Sequence, residues 1–134
     1  MRSETKRLKD KAWKLFSQYI RLKYADKNGD VACYTCGKIL PWQASQCGHG
    51  ISGRKNYVLF LEEVCRPQCV SCNIYHNGLY EVFITKLADE YTLEQVKRWV
   101  NESRKPLKRY KADYIQIIAE LQAQLAEYAD MGRV

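Results

Sequence analysis

Cys33-Tyr34-Thr35-Cys36 and Cys69-Val70-Ser71-Cys72 are two Cys-x-x-Cys pairs separated by 32 residues. Between them lies Cys47-Gly48-His49-Gly50, and Asn73, His76 and Asn77 follow the second pair. Four thiolates satisfy Zn²⁺ tetrahedrally at about 2.3 Å. Two such knuckles, distant in sequence, lock a loop-rich segment that apolar burial alone would not fold. Cys33, Cys36, Cys69 and Cys72 are therefore the expected zinc ligands. A bare zinc ribbon has no use for the histidine and asparagine that accompany them. A histidine on a hairpin, facing a metal held by the start of a helix, is an arrangement that hydrolyses phosphodiesters. The imidazole takes a proton from water, and the metal stabilises charge on the phosphorane and the leaving oxygen.

His49 sits between two glycines, and an imidazole titrates close enough to neutrality for a base. Asn73 directly follows the second knuckle, so a bound zinc would fix where its amide oxygen points. His76 and Asn77 follow at i+3 and i+4, on one face of a helix that continues from there. His49, Asn73 and His76 form the candidate catalytic set. Asn73 and Asn77 supply oxygen ligands of the kind Mg²⁺ or Mn²⁺ prefers. Cys47 and Cys65 remain. They are either small core residues or, with His49 and His76, a second zinc site that would remove His49 from catalysis.

The chain has 134 residues, six cysteines, two histidines and a net charge of +7. That length suits one domain with a helical extension, stabilised in part by metal. The charged start Met1-Arg2-Ser3-Glu4-Thr5-Lys6-Arg7 does not read as an export signal. No apolar run approaches the length of a bilayer span. A reducing, cytoplasmic setting is the expectation, and there paired Cys-x-x-Cys motifs read as metal ligands. Basic charge is concentrated: residues 1–23 hold eight basic side chains against two acidic, and residues 97–111 hold seven against one. Two such segments flanking a metal core fit a phosphate backbone. Lys6, Arg7, Lys14, Arg21, Lys97, Arg98, Lys105, Lys108 and Arg109 are the candidate contacts. Arg54 and Lys55, just past His49, are candidates to hold the scissile phosphate.

Several elements must position these residues. Leu8, Ala12, Leu15, Tyr19 and Leu22 recur at helical spacing over residues 4–25, and the turn at residues 26–30 ends that helix. A knuckle and a short strand follow, with Gly37 turning the chain behind Cys36. Residues 46–57 read as a glycine-rich hairpin or loop, and Val58-Leu59-Phe60-Leu61 as a strand. The spacing predicts a helix from Ser71 to Ala88, burying Leu79, Val82, Phe83 and Leu87. Thr92-Leu93-Glu94-Gln95 reads as a capping box for another helix. Arg104-Lys105-Pro106 breaks it, and a last helix runs from Leu107 to about Asp130. Its stripe of Tyr110, Tyr114, Ile117, Ile118, Leu121, Leu125 and Tyr128 would pack on the first helix or pair with a second copy. The organisation is a basic helix at 1–30, a metal-anchored finger at 31–90 and a helical extension at 91–134.

The order Cys-x-x-Cys, Gly-His, Gln-Cys-x-x-Cys-Asn, with Gly78 five residues after that Asn, resembles the phage NinG (Rap) recombination nucleases. It is also similar in plan to recombination endonuclease VII. The resemblance runs from Ala12 to Leu87 and includes Gln46-Cys47-Gly48-His49 and Pro67-Gln68-Cys69-Val70-Ser71-Cys72-Asn73. It implies an α+β fold, mainly helical, around a small zinc-anchored ββα-metal core of the HNH or His-Me finger type. It further implies His49 as general base, Asn73 as metal ligand, structural Zn²⁺ and catalytic Mg²⁺ or Mn²⁺. The chain departs from the usual pattern at Gly48, where many such enzymes have a metal-binding Asp. The second metal ligand then falls to His76, Asn77, Glu62 or Glu63.

The leading expectation is a Mg²⁺-dependent endodeoxyribonuclease acting on branched double-stranded DNA such as Holliday junctions, D-loops and flaps, leaving 5′-phosphate ends. By the same resemblance it is a phage protein working as a homodimer in the cytoplasm of a bacterial host, with no membrane attachment. The alternatives are a non-catalytic two-zinc module that binds nucleic acid, and a protein that binds a host factor through its last helix.

Overall fold

The computed structural model describes residues 3–51 and 56–132. Arg54 and Lys55 lie outside them. The fold is α+β and mainly helical, with two small antiparallel hairpins.

Helix α1 spans Glu4–Lys23, and Ser3 caps it by accepting from the Lys6 backbone N–H at 3.1 Å. Its buried side is Ala12, Phe16, Tyr19, Ile20 and Leu22, close to the stripe read from sequence. Strands β1 (Asp30–Ala32) and β2 (Ile39–Pro41) then form a hairpin with Val31 opposite Leu40. The first knuckle is its turn. Gly37, at φ +81, returns its N–H to the Cys33 carbonyl at 2.8 Å, a conformation that costs glycine little.

Strand β3 (Gln46–His49) pairs with β4 (Cys65–Gln68), Gln46 opposite Gln68 and His49 opposite Cys65. Residues Gln46–His49 of the glycine-rich stretch are therefore a largely buried strand rather than a flexible loop. Glycine is needed there by close approach. A Cβ on Gly48 would overlap the Gln68 side chain, and one on Gly50 would overlap Leu87 and Phe83.

Three elements differ from expectation. Val58-Leu59-Phe60-Leu61 is not a strand: a short helix α2 (Asn56–Leu59) buries Val58 and Leu59. An apolar run this short does not distinguish the two states, and here it packs into the core as a helix. The helix expected from Ser71 to Ala88 is broken. A π-type turn covers Ser71–Tyr75, and α3 begins only at Tyr80 and runs to Glu90. Asn77, Gly78 and Leu79 between them all have positive φ. The reversal is anchored by Gly78, whose N–H meets the Cys72 carbonyl at 2.8 Å while its own carbonyl accepts from Gln68 Nε2 at 2.9 Å. Val82, expected inside, is exposed, whereas Phe83 and Leu87 are buried. Helix α4 (Leu93–Ser103) starts at Thr92, whose hydroxyl accepts from the Gln95 N–H. Helix α5 (Lys111–Asp130) starts later than expected, because Asp113 accepts from the Tyr110 N–H at 2.7 Å and caps it there.

Helix α5 lies parallel to α1: Lys111 pairs with Glu4 at their heads, and the Tyr128 ring meets Tyr19 further along. Tyr114, Ile118 and Leu121 are buried, with Ala12 packed against Tyr114 and Ile118. Tyr114, Ile118 and Leu121 of the apolar stripe are thus consumed within the chain, while Tyr110 at its head stays exposed. One core joins the three expected segments, with Phe16 and Ile20 of α1 meeting Cys47, Val64 and Cys65 of the finger, Phe83 and Leu87 of α3, Trp99 of α4 and Leu121 of α5.

Arg66, on β4, is the largest fully buried side chain. It donates to the carbonyls of Glu63 and Cys65, to the Glu90 carboxylate at 3.0 Å and to the Tyr91 hydroxyl at 2.9 Å. The rings of Tyr24, Tyr34 and Tyr91 surround its guanidinium. Burial disfavours its charge, but Tyr91 and the facing tyrosines more than offset this and hold it firmly protonated. A buried cation satisfied this fully ties α1, the first knuckle, β4 and α3 together.

Candidate metal centre and catalytic cleft

The two knuckles meet. The Sγ atoms of Cys33, Cys36, Cys69 and Cys72 all lie within 4.8 Å of one another, and those of Cys36 and Cys69 are 3.8 Å apart. Tetrahedral zinc with bonds of about 2.3 Å requires sulfurs about 3.8 Å apart. The donor set fits Zn²⁺, and these four cysteines can hold such an ion. Burial raises Cys72 to about 12 despite a hydrogen bond from Thr35. Burial also opposes ionisation of Cys33, yet Thr35 and backbone amides near it pull that thiol down to about 6. Thiolates packed this closely repel one another, and a divalent cation relieves the repulsion.

Backbone bonds fix the meeting point. The Tyr34 N–H donates to the Pro67 carbonyl at 2.9 Å, and Gln68 Nε2 donates to Thr35 Oγ1 at 3.0 Å. Gln68 is wholly buried and bridges the first knuckle to the turn at Gly78. No second group of metal donors gathers among the described residues. Cys47 and Cys65 belong to the core, so the two-zinc arrangement with His49 and His76 is not formed.

Beside this cluster lies a cleft of about 650 Å³. Trp13, Ser17 and Arg21 of α1 form one wall, Ser45 to Cys47 and His49 another, with Asn73, Ile74 and Tyr80 closing it. His49 and Asn73, from different elements, thus face the same space. His49 is only 6% exposed, and its ring stacks on Trp13 at 5.1 Å. Its Nε2 lies 3.3 Å from the Leu59 carbonyl. A carbonyl only accepts, so Nε2 carries the proton and Nδ1 is the basic nitrogen. Asn73 Nδ2 donates to Gln46 Oε1 at 2.7 Å.

His76 and Asn77 are not brought into this cleft. The π-type turn ends at Tyr75, so the shared helix face fails. Both residues are exposed, Asn77 with φ +54. Glu62 is also elsewhere: its carboxylate pairs with Lys23 at 2.9 Å and accepts from Tyr19. Among the described residues no Asp or Glu lines the cleft, and a Cβ at Gly48 would overlap the Gln68 side chain.

Of the candidate nucleic-acid contacts, Arg21 lines the cleft. Its guanidinium reaches the Ser45 carbonyl at 3.4 Å and lies over the Trp42 ring, and burial lowers its affinity for the proton. Arg7, Lys14 and Arg21 recur every seven residues, which sets them along one edge of α1 beside the Trp13–Ser17 wall. Lys6 pairs with Asp10 on the same helix. The second basic segment lies apart from the cleft. Lys97 and Arg98 are exposed on α4, Lys105 pairs with Glu102, and Lys108 lies over the Tyr110 ring. Arg109 donates to the Asn56 carbonyl and covers Phe60, so its charge serves the fold.

Sequence reasoning missed Gln46, Trp13 as a partner of His49, and Arg66. Gln46 had a signal, since it opens the strand that ends at His49. Trp13 was hidden among other aromatic residues of an amphipathic helix.

No helix among the described residues is long and apolar enough to cross a membrane. The family model described as Bacteriophage Lambda NinG protein matches residues 2–130. No curated protein and no solved structure matches the chain.

Proposed function

The chain belongs to the NinG family, and on that premise we propose that it is a divalent-metal-dependent endonuclease for branched DNA, built as a His-Me finger. The observation that carries the reading is the cleft in which His49 and Asn73 converge beside Arg21. Strand β3 ends in His49, β4 returns, and the following turn carries Asn73 directly after the zinc ligand Cys72. That order is compatible with a ββα plan, with a π-type turn standing where its helix would begin.

In this reading Nδ1 of His49 takes a proton from water, and the hydroxide attacks the phosphorus while the 3′ oxygen leaves. The Leu59 carbonyl fixes the tautomer, and the stack on Trp13 fixes the plane of the ring. Arg21 offers a fixed positive charge to the phosphate. Asn73 Oδ1 is a hard oxygen donor of the type Mg²⁺ or Mn²⁺ accepts; when bound, such an ion stabilises charge on the phosphorane and leaving oxygen. Among the described residues no carboxylate lines the cleft, so such an ion would need the substrate phosphate to balance its charge.

The edge of Arg7, Lys14 and Arg21 tracks one duplex arm through phosphates, which favours DNA shape over sequence. Paired cuts across a junction call for two copies. Because α5 is occupied by α1, such a dimer uses another face or forms on the DNA. The site of action is the cytoplasm of an infected host cell.

The test is incubation with an end-labelled four-way junction and a linear duplex of the same sequence, with Mg²⁺ or Mn²⁺. The expected result is cutting of the junction in preference to the duplex, with 5′-phosphate ends. Absence of cutting with either metal overturns the reading.

A further inference from the structure

We propose that Tyr75, flanked by Ile74, is a wedge that stacks on the bases laid open at a DNA branch point, and that this contact tells branched DNA from a linear duplex. The inference rests on the branched-DNA reading above and needs no bound cation. Phosphate contacts along Arg7, Lys14 and Arg21 hold any duplex, because every duplex offers the same backbone. Within an unbroken duplex each base is covered above and below by its neighbours. At a branch or flap the last pair has one bare face, which a flat or apolar side chain is suited to cover.

Such side chains stand at the rim of the cleft. Ile74 lines the cleft and is 52% exposed; Tyr75, next to it, is 77% exposed. Val70, one turn earlier, adds a third exposed apolar side chain. Among the described residues the Tyr75 side chain takes no hydrogen bond and no ring contact. One exposed apolar residue is ordinary, but three together beside a cleft mark an interaction surface. They do not sit on a loose loop. The His76 N–H closes the π-type turn on the Ser71 carbonyl at 2.9 Å, and the Asn73 N–H ties it to the Cys69 carbonyl at 3.0 Å. Side chains on a backbone held this firmly lose less freedom on binding. Charge decides between occupants. From Pro67 to Tyr80 the chain holds no Asp or Glu, and Arg21 stands on the α1 wall of the same cleft. A polyanion therefore meets this rim without repulsion, its phosphates on the edge of α1 and its bases on Tyr75. A second copy of the chain, also at +7, is repelled from it.

The test is binding of a fluorescein-labelled four-way junction and of a linear duplex of the same sequence, read by anisotropy with no divalent cation added. Tyr75→Ala is expected to weaken junction binding about tenfold, the scale of one lost base stack, and to leave duplex binding unchanged. Tyr75→Phe keeps the ring and with it the affinity of the parent. Circular dichroism and zinc content of both variants stay those of the parent, since the side chain is exposed. A Tyr75→Ala protein that keeps the whole preference for the junction overturns the proposal, as does one that binds both DNAs equally less well. Sedimentation that shows a dimer in the parent and a monomer in Tyr75→Ala, with the junction preference intact, gives the patch to a second copy and overturns it too. The two levels separate in the parent. If the parent binds the junction no more tightly than the duplex, the branched-DNA reading falls and the wedge with it. If the parent prefers the junction and Tyr75→Ala does so equally, the wedge alone falls.

Discussion

At the sulfur cluster four side chains turn towards one point, and every neighbouring amide serves to keep them there. At the cleft, a few bonds away along the chain, side chains from three elements turn towards empty space. Cys72 and Asn73 are adjacent in sequence and belong to opposite regimes. With zinc bound the cluster would make its own structure, because the ion would replace a core that two two-stranded hairpins cannot build. The cleft inherits its shape from elsewhere: the hairpin carries His49, α1 supplies its stacking wall, and the cluster aims Asn73. Damage to the first should therefore unfold the protein, whereas damage to the second should leave a folded protein without its chemistry.

The largest effect expected is at the cluster. Cys69→Ser, or removal of zinc by a strong chelator, forfeits a binding free energy on the order of 10 kcal/mol and abolishes the cooperative melting transition. A variant that melts like the parent would erase the distinction between the two regions. Next is Arg66→Ala, which opens a cage of three tyrosines and leaves the Tyr91 hydroxyl and several carbonyls without a donor. Urea unfolding should show a loss of about 3 kcal/mol or more; a loss under about 1 kcal/mol would mean the cage is not cohesive. Gly48→Asp places an acidic residue directly before His49, but there it meets Gln68. It should cost about 1–3 kcal/mol by overpacking without tightening Mn²⁺ binding, and tighter binding would show that the cleft accepts a carboxylate after all.

The smallest effect is alkaline. Burial, then the neighbouring Glu62 carboxylate, pushes Tyr19 up to about 12. A raised folded-state pKa means that the neutral phenol's contribution is whole below about pH 10 and is lost as pH climbs towards 12. Tyrosinate absorbance should show a late-titrating phenol that disappears in Tyr19→Phe. Equal titration curves for the two proteins would contradict the burial.

How much of this could be read from the residues alone follows the same division. The cluster was legible, because two Cys-x-x-Cys spacings encode a metal geometry without knowledge of the fold. That His49 and Asn73 would face one space was legible through the motif that frames them. Less was legible where long-range packing decides. Val58 and Leu59 suit a strand as well as a helix, and only their packing into the core settles the matter. Gly78 falls inside the helix expected from Ser71 to Ala88, and nothing local announces that Asn77 and Leu79 also take positive φ. That break is what removed His76 and Asn77 from the cleft. Arg66, lodged between a cysteine and a proline, carries no sign of burial, since its partners Tyr24, Tyr34 and Tyr91 come from three distant elements.

The most direct test is the single-turnover rate of junction cleavage by His49→Ala beside the parent protein, both shown to carry one zinc per chain. A cleft that performs the chemistry predicts a rate lower by about 10²–10⁴-fold at unchanged zinc content and a cooperative melt. An undiminished rate in the folded, zinc-loaded variant would place the chemistry elsewhere.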